Sequence, residues 1–210
     1  MLGDFGSVGT IQGTIPQGIT GNRMLTSAVK IANPQLQTMS YFLTAFGEAP
    51  WRLIAGVTER ECAVKTLPSA SKWIAGQQEA KRNISVVLTA SGSRVWHLAV
   101  RAPLGVPLRS KLPPTLVVMA DAYWLLWRLN EPVEAVKARE LSEALAREIG
   151  HKAVAATGEV LPLPGTVRFR QAGGLARNTN VCIVGHQPTA YRIVAGELVD
   201  TALGAAASQF

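Results

Sequence analysis

Residues 115–133 read TLVVMADAYWLLWRLNEPV, and how this stretch folds decides the architecture around it. TLVV and YWLLWRL are dense in β-branched and aromatic residues, and Met119–Ala122 between them supplies small turn residues. That composition predicts an antiparallel hairpin. Upstream, WRLIAGV (51–57), NISVVLTA (83–90) and SRVWHLAV (93–100) are apolar runs bounded by turn residues and predict strands. Downstream, Asn130 is read as the cap of a helix with Pro132 in its first turn. Val133, Val136, Leu141, Leu145 and Ile149 give that helix an apolar stripe, and Gly150 closes it. Its solvated face carries Glu140, Glu143, Arg147 and Glu148. QTMSYFLTAFG (37–47) predicts a helix through the spacing of Met39, Phe42, Leu43 and Phe46, and a short helix is expected around Trp73 and Ile74. The remainder reads as a proline-punctuated loop from Arg101 to Pro114, a loop at LPLPGT (161–166), a strand at TNVCIVG (179–185) and a helix or turn near GELVD (196–200). Strands alternating with a few helices predict an α+β fold, a sheet with helices on one face.

The chain has 210 residues, 48% of them hydrophobic and 17% charged, enough to bury a core. Five glycines fall in the first 18 residues, almost without charge. We therefore divide the chain into a flexible or partner-docking arm (1–37), a globular domain (38–200) and a tail (201–210). Two cysteines, Cys62 and Cys182, are too few for a disulfide framework. No apolar run approaches the roughly 18 residues of a membrane span, and MLGDFGSVGT lacks a signal-peptide pattern. A cytoplasmic protein without a membrane partner is the expectation.

The net charge is +7, and its distribution is uneven. No acid occurs from Ala80 to Ala120, where Lys81, Arg82, Arg94, Arg101, Arg109 and Lys111 stand, nor from Val160 to Gly196, with Arg168, Arg170, Arg177 and Arg192. Clustered cations of this kind are the footprint of phosphate-backbone binding. Trp96, Tyr123, Trp124, Trp127 and Phe169 lie nearby as stacking surfaces, although large aromatics serve packing first.

Motifs for chemistry are sparse. His97, His151 and His186 do not fall at metal-ligand spacing with either cysteine. There is no phosphate loop, dinucleotide fingerprint or nucleophile elbow. Glu59-x-Glu61 has the spacing of a carboxylate pair on one strand face, but little apolar support surrounds it.

The order FLTAFG, WRLIAGV, RNISVVL, RVWHLAV, LPPTLVV, AYWLLWRLNEPV, REIG, LPLPGTVRFR and TNVCIVG resembles the archaeo-eukaryotic primase-polymerase superfamily, plasmid and phage replication type, over about Gln37 to Asp200. The most specific pieces are YWLLWRLNEPV and LPGTVRFR. The resemblance implies a primase-polymerase-like fold with an RNA-recognition-type antiparallel sheet and helices packed on it. It also implies a metal site of two carboxylates on one strand, a phosphate-gripping His on a neighbouring strand and a third acid. Those positions fall on Leu98 and Val100, on Trp124 and on Ala156, none of which can serve. The arginine that usually precedes LPGT in that family is Pro162 here.

The expectation is a catalytically inactive member that binds DNA or RNA inside a replication or other nucleoprotein complex, with no metal and no cofactor. Lys81, Arg82, Arg101, Arg109, Lys111, Arg168, Arg170 and Arg177 would contact phosphates, and Tyr123 and Trp124 are stacking candidates. Trp124 would fill the former nucleotide pocket, closing it or offering a ring. Two alternatives stand beside this: an active primase or polymerase whose metal site has moved to Asp121 with Glu59 or Glu61, and a scaffold that docks other protein subunits through the arm.

Overall fold

The computed structural model describes residues 33–45, 51–87, 94–150, 152–172, 175–187 and 189–200. Most of the arm, the tail, the expected helix stop at Phe46–Gly47, the end of NISVVLTA, His151 and the side chain of Arg177 lie outside the described residues. The elements in chain order are α1 (Pro34–Ala45), β1 (Trp51–Ala55), β2 (Thr58–Cys62), a 3-10 turn, α2 (Leu67–Glu79), β3 (Ser85–Val87), β4 (Arg94–Ala102), β5 (Leu116–Met119) and β6 (Tyr123–Glu134). They continue with α3 (Ala135–Ile149), β7 (Val154–Ala155), β8 (Leu161–Pro162), β9 (Val167–Ala172), β10 (Leu175–Asn180), β11 (Cys182–His186), β12 (Tyr191–Val194) and β13 (Glu197–Asp200).

The hairpin read from residues 115–133 is β5–β6, and it lies at the centre of the larger sheet. β11 pairs with β5, β5 with β6, β6 with β4 and β4 with β7, while the far end of β6 meets β12 and its partner β13. A smaller sheet runs β2-β1-β3-β8, and β9 and β10 form a separate hairpin. Both faces of the larger sheet are covered, which corrects the one-faced arrangement. On one side Val95, Leu98, Val100, Ala102, Leu125, Trp127 and Leu129 pack on Ala138, Leu145, Ala146 and Ile149 of α3. On the other, Ala99, Leu116, Val118, Trp124 and Leu126 join Met39, Phe42 and Leu43 of α1, Leu67, Ala70 and Ile74 of α2, and Leu53 and Ala55 of β1. Two indole and phenol groups anchor the proline-rich loop before β5: the Trp127 indole donates to the Leu112 carbonyl at 2.9 Å, and the Tyr191 hydroxyl donates to the Pro113 carbonyl.

Three element readings are corrected. The helix at 37–47 starts earlier, at Pro34, because Asn33 caps it: its side-chain oxygen accepts the Gln35 amide at 2.9 Å. The helix therefore begins within residues 34–37, before the expected arm boundary. Asn130 does not cap α3, since β6 runs on to Glu134. The β4–β6 register breaks between Val95 and His97, and Pro132 sits in that irregularity, where no ladder amide is required. Glu134 takes the cap position, and Val136, expected in the apolar stripe, is exposed. GELVD is a strand: Ala195 and Gly196 both have positive φ, 50° and 87°, which makes a two-residue turn joining β12 to β13.

Candidate nucleic-acid interface

The site is built on β9, a strand just past the LPLPGT loop to which the sequence reading assigns no element. LPGT bends the chain into it. Gly165 has φ +86°, and a Cβ there would stand 2.6 Å from the Gln35 carbonyl oxygen, so only glycine lets the start of α1 sit on this turn. The Gly165 amide donates to Val181 at 2.8 Å, and the Val181 amide donates back to Thr166 at 2.8 Å. One edge of β9 pairs with β10, placing Arg177 opposite Arg170 in register. Side chains take over the other edge. Gln78 accepts the Val167 amide at 2.6 Å, and Asn83 accepts the Phe169 amide at 2.7 Å while donating to the Phe169 carbonyl at 3.1 Å.

Asn83 follows a tight helix end. The Arg82 amide donates to Gln77 and the Lys81 amide to Gln78, both at 2.9 Å, with Lys81 in the left-handed region at φ 54°. This is the crossed pair of bonds that ends helices with a left-handed residue, a place glycine usually takes. Its outcome is that exposed Lys81 and Arg82 are carried on a turn bonded directly to β9.

Alternation along β9 turns Arg168 and Arg170 to one side. Both reach the same carboxylate oxygen of Asp121 in the β5–β6 turn, Arg168 Nε at 3.6 Å and Arg170 Nη2 at 3.3 Å. Asp121 is only 19% exposed and Arg170 is 59% exposed, so the pair leaves a guanidinium facing solvent. Beyond the turn, the Arg101 guanidinium lies 5.6 Å from the Trp124 ring centroid and 3.8 Å from Glu159. Three guanidinium groups and two carboxylates thus share this region, with the Lys81–Arg82 turn tied to its edge.

The positions implied by the resemblance are partly brought together. Trp124 and Ala156 belong to one buried cluster, on the sheet face that meets α1 and α2. Leu98 and Val100 point the other way, into the α3 core. The residues of β4 that share the Trp124 face are Ala99, whose carbonyl accepts the Ala156 amide at 2.8 Å, and Arg101, directly opposite Trp124. A one-residue slip reverses the facing of every strand residue, and neither Leu98 and Val100 nor Ala99 and Arg101 contain a carboxylate. Trp124 is 4% exposed, its indole N–H has no partner among the described residues, and Arg101 covers the ring. The ring therefore offers no open stacking face. Tyr123 lies on the opposite face, half-buried against the α3 core. Trp127 is buried as well, whereas Trp96 is exposed and Phe169 half-buried.

Arg109 and Lys111 are not part of this site. Arg109 lines a shallow cavity with Ile149 and Gly150 at the end of α3, and the Lys111 amide donates to Glu148 of α3. The acids of the relocated-metal alternative are not gathered either: Glu59 pairs with Arg52 on the outer β1–β2 hairpin at 3.4 Å, and Asp121 is held by two arginines. Among the described residues no three His, Cys, Asp or Glu side chains are grouped to hold a metal. The sequence reading missed Asn83 and Gln78 as clamps and Asp121 as the shared partner. The alternation Val-Arg-Phe-Arg was the available signal for β9.

No family model and no curated protein matches the chain. Solved structures do. The crystal structure of the primase RepB' aligns with a TM-score of 0.58 at 15% identity, covering 83% of this chain and 62% of that one, so the chain spans under two thirds of its length. The catalytic domain of primase RepB' in complex with initiator DNA gives 0.58 at 16% identity, covering 84% and 95%. The AEP domain of the cyanophage S-2L primase-polymerase gives 0.51 at 14% identity, covering 74% and 92%. The chain therefore shares its α+β fold with these primase and primase-polymerase domains.

Proposed function

We propose that this domain binds nucleic acid through its phosphate backbone, along β9 and the Lys81–Arg82 turn, and does not polymerise nucleotides. The reading rests most on one observation: Arg168 and Arg170 project from the same side of a strand clamped by Asn83 to a second basic turn. A likeness in fold to a primase catalytic domain solved with initiator DNA supports it. The absence of polymerisation is supported by the residues on the Trp124 face of β4, β6 and the β7 exit, which are Ala99, Arg101, Trp124 and Ala156. A phosphoryl-transfer centre needs oxygen ligands for its metals. Lys81, Arg82, Arg101, Arg168 and Arg170 are the contacts, with Arg177 of β10 adjoining in register. A role inside a replication complex and further protein subunits extend the same proposal.

The test is a salt titration of binding to a labelled single strand. Five phosphate contacts correspond to a slope of log K against log salt of about −3.5. A slope near zero, with no saturable binding at low salt, contradicts the reading and transfers the weight to protein docking.

Asp121 sets the strength of this site. Its carboxylate stands where a phosphate oxygen would meet Arg168 and Arg170, so each bound phosphate competes with it and is repelled by it. Asp121→Asn therefore tightens single-strand binding by about fivefold at low salt. Weaker binding by a folded Asp121→Asn protein means that the carboxylate positions the arginines and does not compete for them.

A further inference from the structure

A second cleft, of about 250 Å³, opens between α1 and the β5–β11 edge, away from the β9 site. It is lined by Tyr41, Thr44, Thr115, Arg128, His186 and Thr189, and among the described residues no carboxylate lines it. It faces the same side of the larger sheet as Trp124, because Trp124, Leu126 and Arg128 alternate along β6. Leu116, at this end of β5, is three residues from Met119 beside the Asp121 turn, or roughly 10 Å along the strand.

Three features distinguish it from an ordinary surface dip. First, four of its six polar side chains are unspent, the exceptions being Thr44, which donates to the Ser40 carbonyl at 2.8 Å, and Thr115. Among the described residues no acid pairs with Arg128, and the Tyr41 hydroxyl, the His186 ring nitrogens and the Thr189 hydroxyl have no hydrogen-bond partner. Thr115 is already committed, donating to the Thr189 carbonyl at 2.8 Å and accepting the Arg128 amide at 2.9 Å, which fixes the backbone beneath the guanidinium. Second, β11 carries an irregularity between Ile183 and Gly185. Gly185 lies so close to β5 that a Cβ would meet Val117 at 3.2 Å, and Val184 is pushed out to solvent. Bulges of this kind re-aim the side chain that follows, and here His186 is brought edge-on to Tyr41, ring centroids 4.9 Å apart at 79°. Third, the only ionisable group opposite Arg128 in register is His97, which is buried and held neutral by desolvation. It adds no charge to the cleft floor.

We propose that this cleft binds the phosphomonoester of a nucleotide, with Arg128 on the phosphate, the Tyr41 and Thr189 hydroxyls as further donors, and the Tyr41 and His186 rings against the sugar and base. A planar guanidinium fork with neutral donors and, among the described residues, no competing acid suits a phosphate dianion, and the volume accommodates a mononucleotide more readily than a run of strand. The phosphomonoester belongs either to a free nucleotide or to the 5′ end of a strand. The proposal is independent of the β9 site.

The experiment compares adenosine 5′-monophosphate with adenosine, and a 5′-phosphorylated oligonucleotide with its 5′-hydroxyl form, by calorimetry. It uses the full chain, Arg128→Ala, Arg128→Lys and the Arg168→Ala/Arg170→Ala double variant, with circular dichroism to confirm folding. The phosphate is expected to improve binding by about tenfold in the native protein and the β9 double variant. Arg128→Ala abolishes that gain and Arg128→Lys retains part of it. A gain confined to the mononucleotide assigns the cleft to free nucleotide; a gain in the oligonucleotide pair as well assigns it to strand ends. Equal binding with and without the phosphate, or a full gain in Arg128→Ala, overturns the proposal.

Discussion

Replacing Arg168 and Arg170 together by Ala lowers single-strand affinity by about 25-fold near 0.1 M salt and flattens the salt slope by about 1.4 units. The magnitude follows from two lost phosphate contacts, each of which releases about 0.7 of a counterion on a single strand. Neither side chain is structural in the usual sense. Arg170 is well exposed and the bonds that place β9 run through its backbone to Gln78, Asn83 and β10, so the strand keeps its position when the guanidinium groups are removed. The partner left behind is Asp121, 19% exposed, which can hydrate. The loss should therefore be one of affinity without a shift in thermal midpoint, read by fluorescence anisotropy across a salt series. An unchanged slope removes β9 from the interface. The Asp121→Asn variant separates the two ideas, because it tightens binding only if the arginines are contacts.

The second large effect is on acid stability. His97 is 2% exposed in β4, and burial pushes its imidazole down to about 4 from the ordinary 6.5. Between those two values the unfolded chain holds a proton that the folded one does not. Stability therefore falls as pH drops from 6.5 toward 4 and is unaffected by this group above 6.5. A difference of this size corresponds to about 3 kcal/mol across the window. Denaturant midpoints at pH 7.5 and 4.5 measure it, with His97→Gln as the comparison that cancels the carboxylates common to both proteins. An identical pH dependence in the two proteins would show that His97 is protonated in the folded state without penalty.

Much of this architecture is legible in residues 115–133, since β-branched and aromatic density around a small turn leaves few options but a hairpin. The strands on either side follow from the same signal. What the sequence conceals has physical causes. Pro132 looks like a helix start, but a break in the β4–β6 register accommodates it within a strand. Ala195-Gly196 is a poorer turn signal than Asn-Gly, so the β12–β13 hairpin reads as a helix or turn. β9 is held on one edge by Gln78 and Asn83, residues some 86 to 89 positions away, which no local pattern reveals. The site was half legible. Charge clustering picks out Lys81, Arg82, Arg101, Arg168 and Arg170, which the fold brings to one region, but it treats Arg109 and Lys111 alike, and those lie by the end of α3. Facing along β4 depends on a single residue of register: Leu98 and Val100 pack into the α3 core, whereas Ala99 lies with Trp124 on the other face.

The most direct test of the central claim is template-directed nucleotide incorporation, with Mg²⁺ and with Mn²⁺, by a preparation shown in the same tube to bind the template in a salt-dependent manner. Binding without incorporation under either metal is the expected result, since Ala99, Arg101, Trp124 and Ala156 carry no oxygen ligand and the two nearby carboxylates, Asp121 and Glu159, are paired with arginines. Incorporation that depends on the metal and disappears with Asp121→Ala would contradict the account and place a working metal site on the β5–β6 turn.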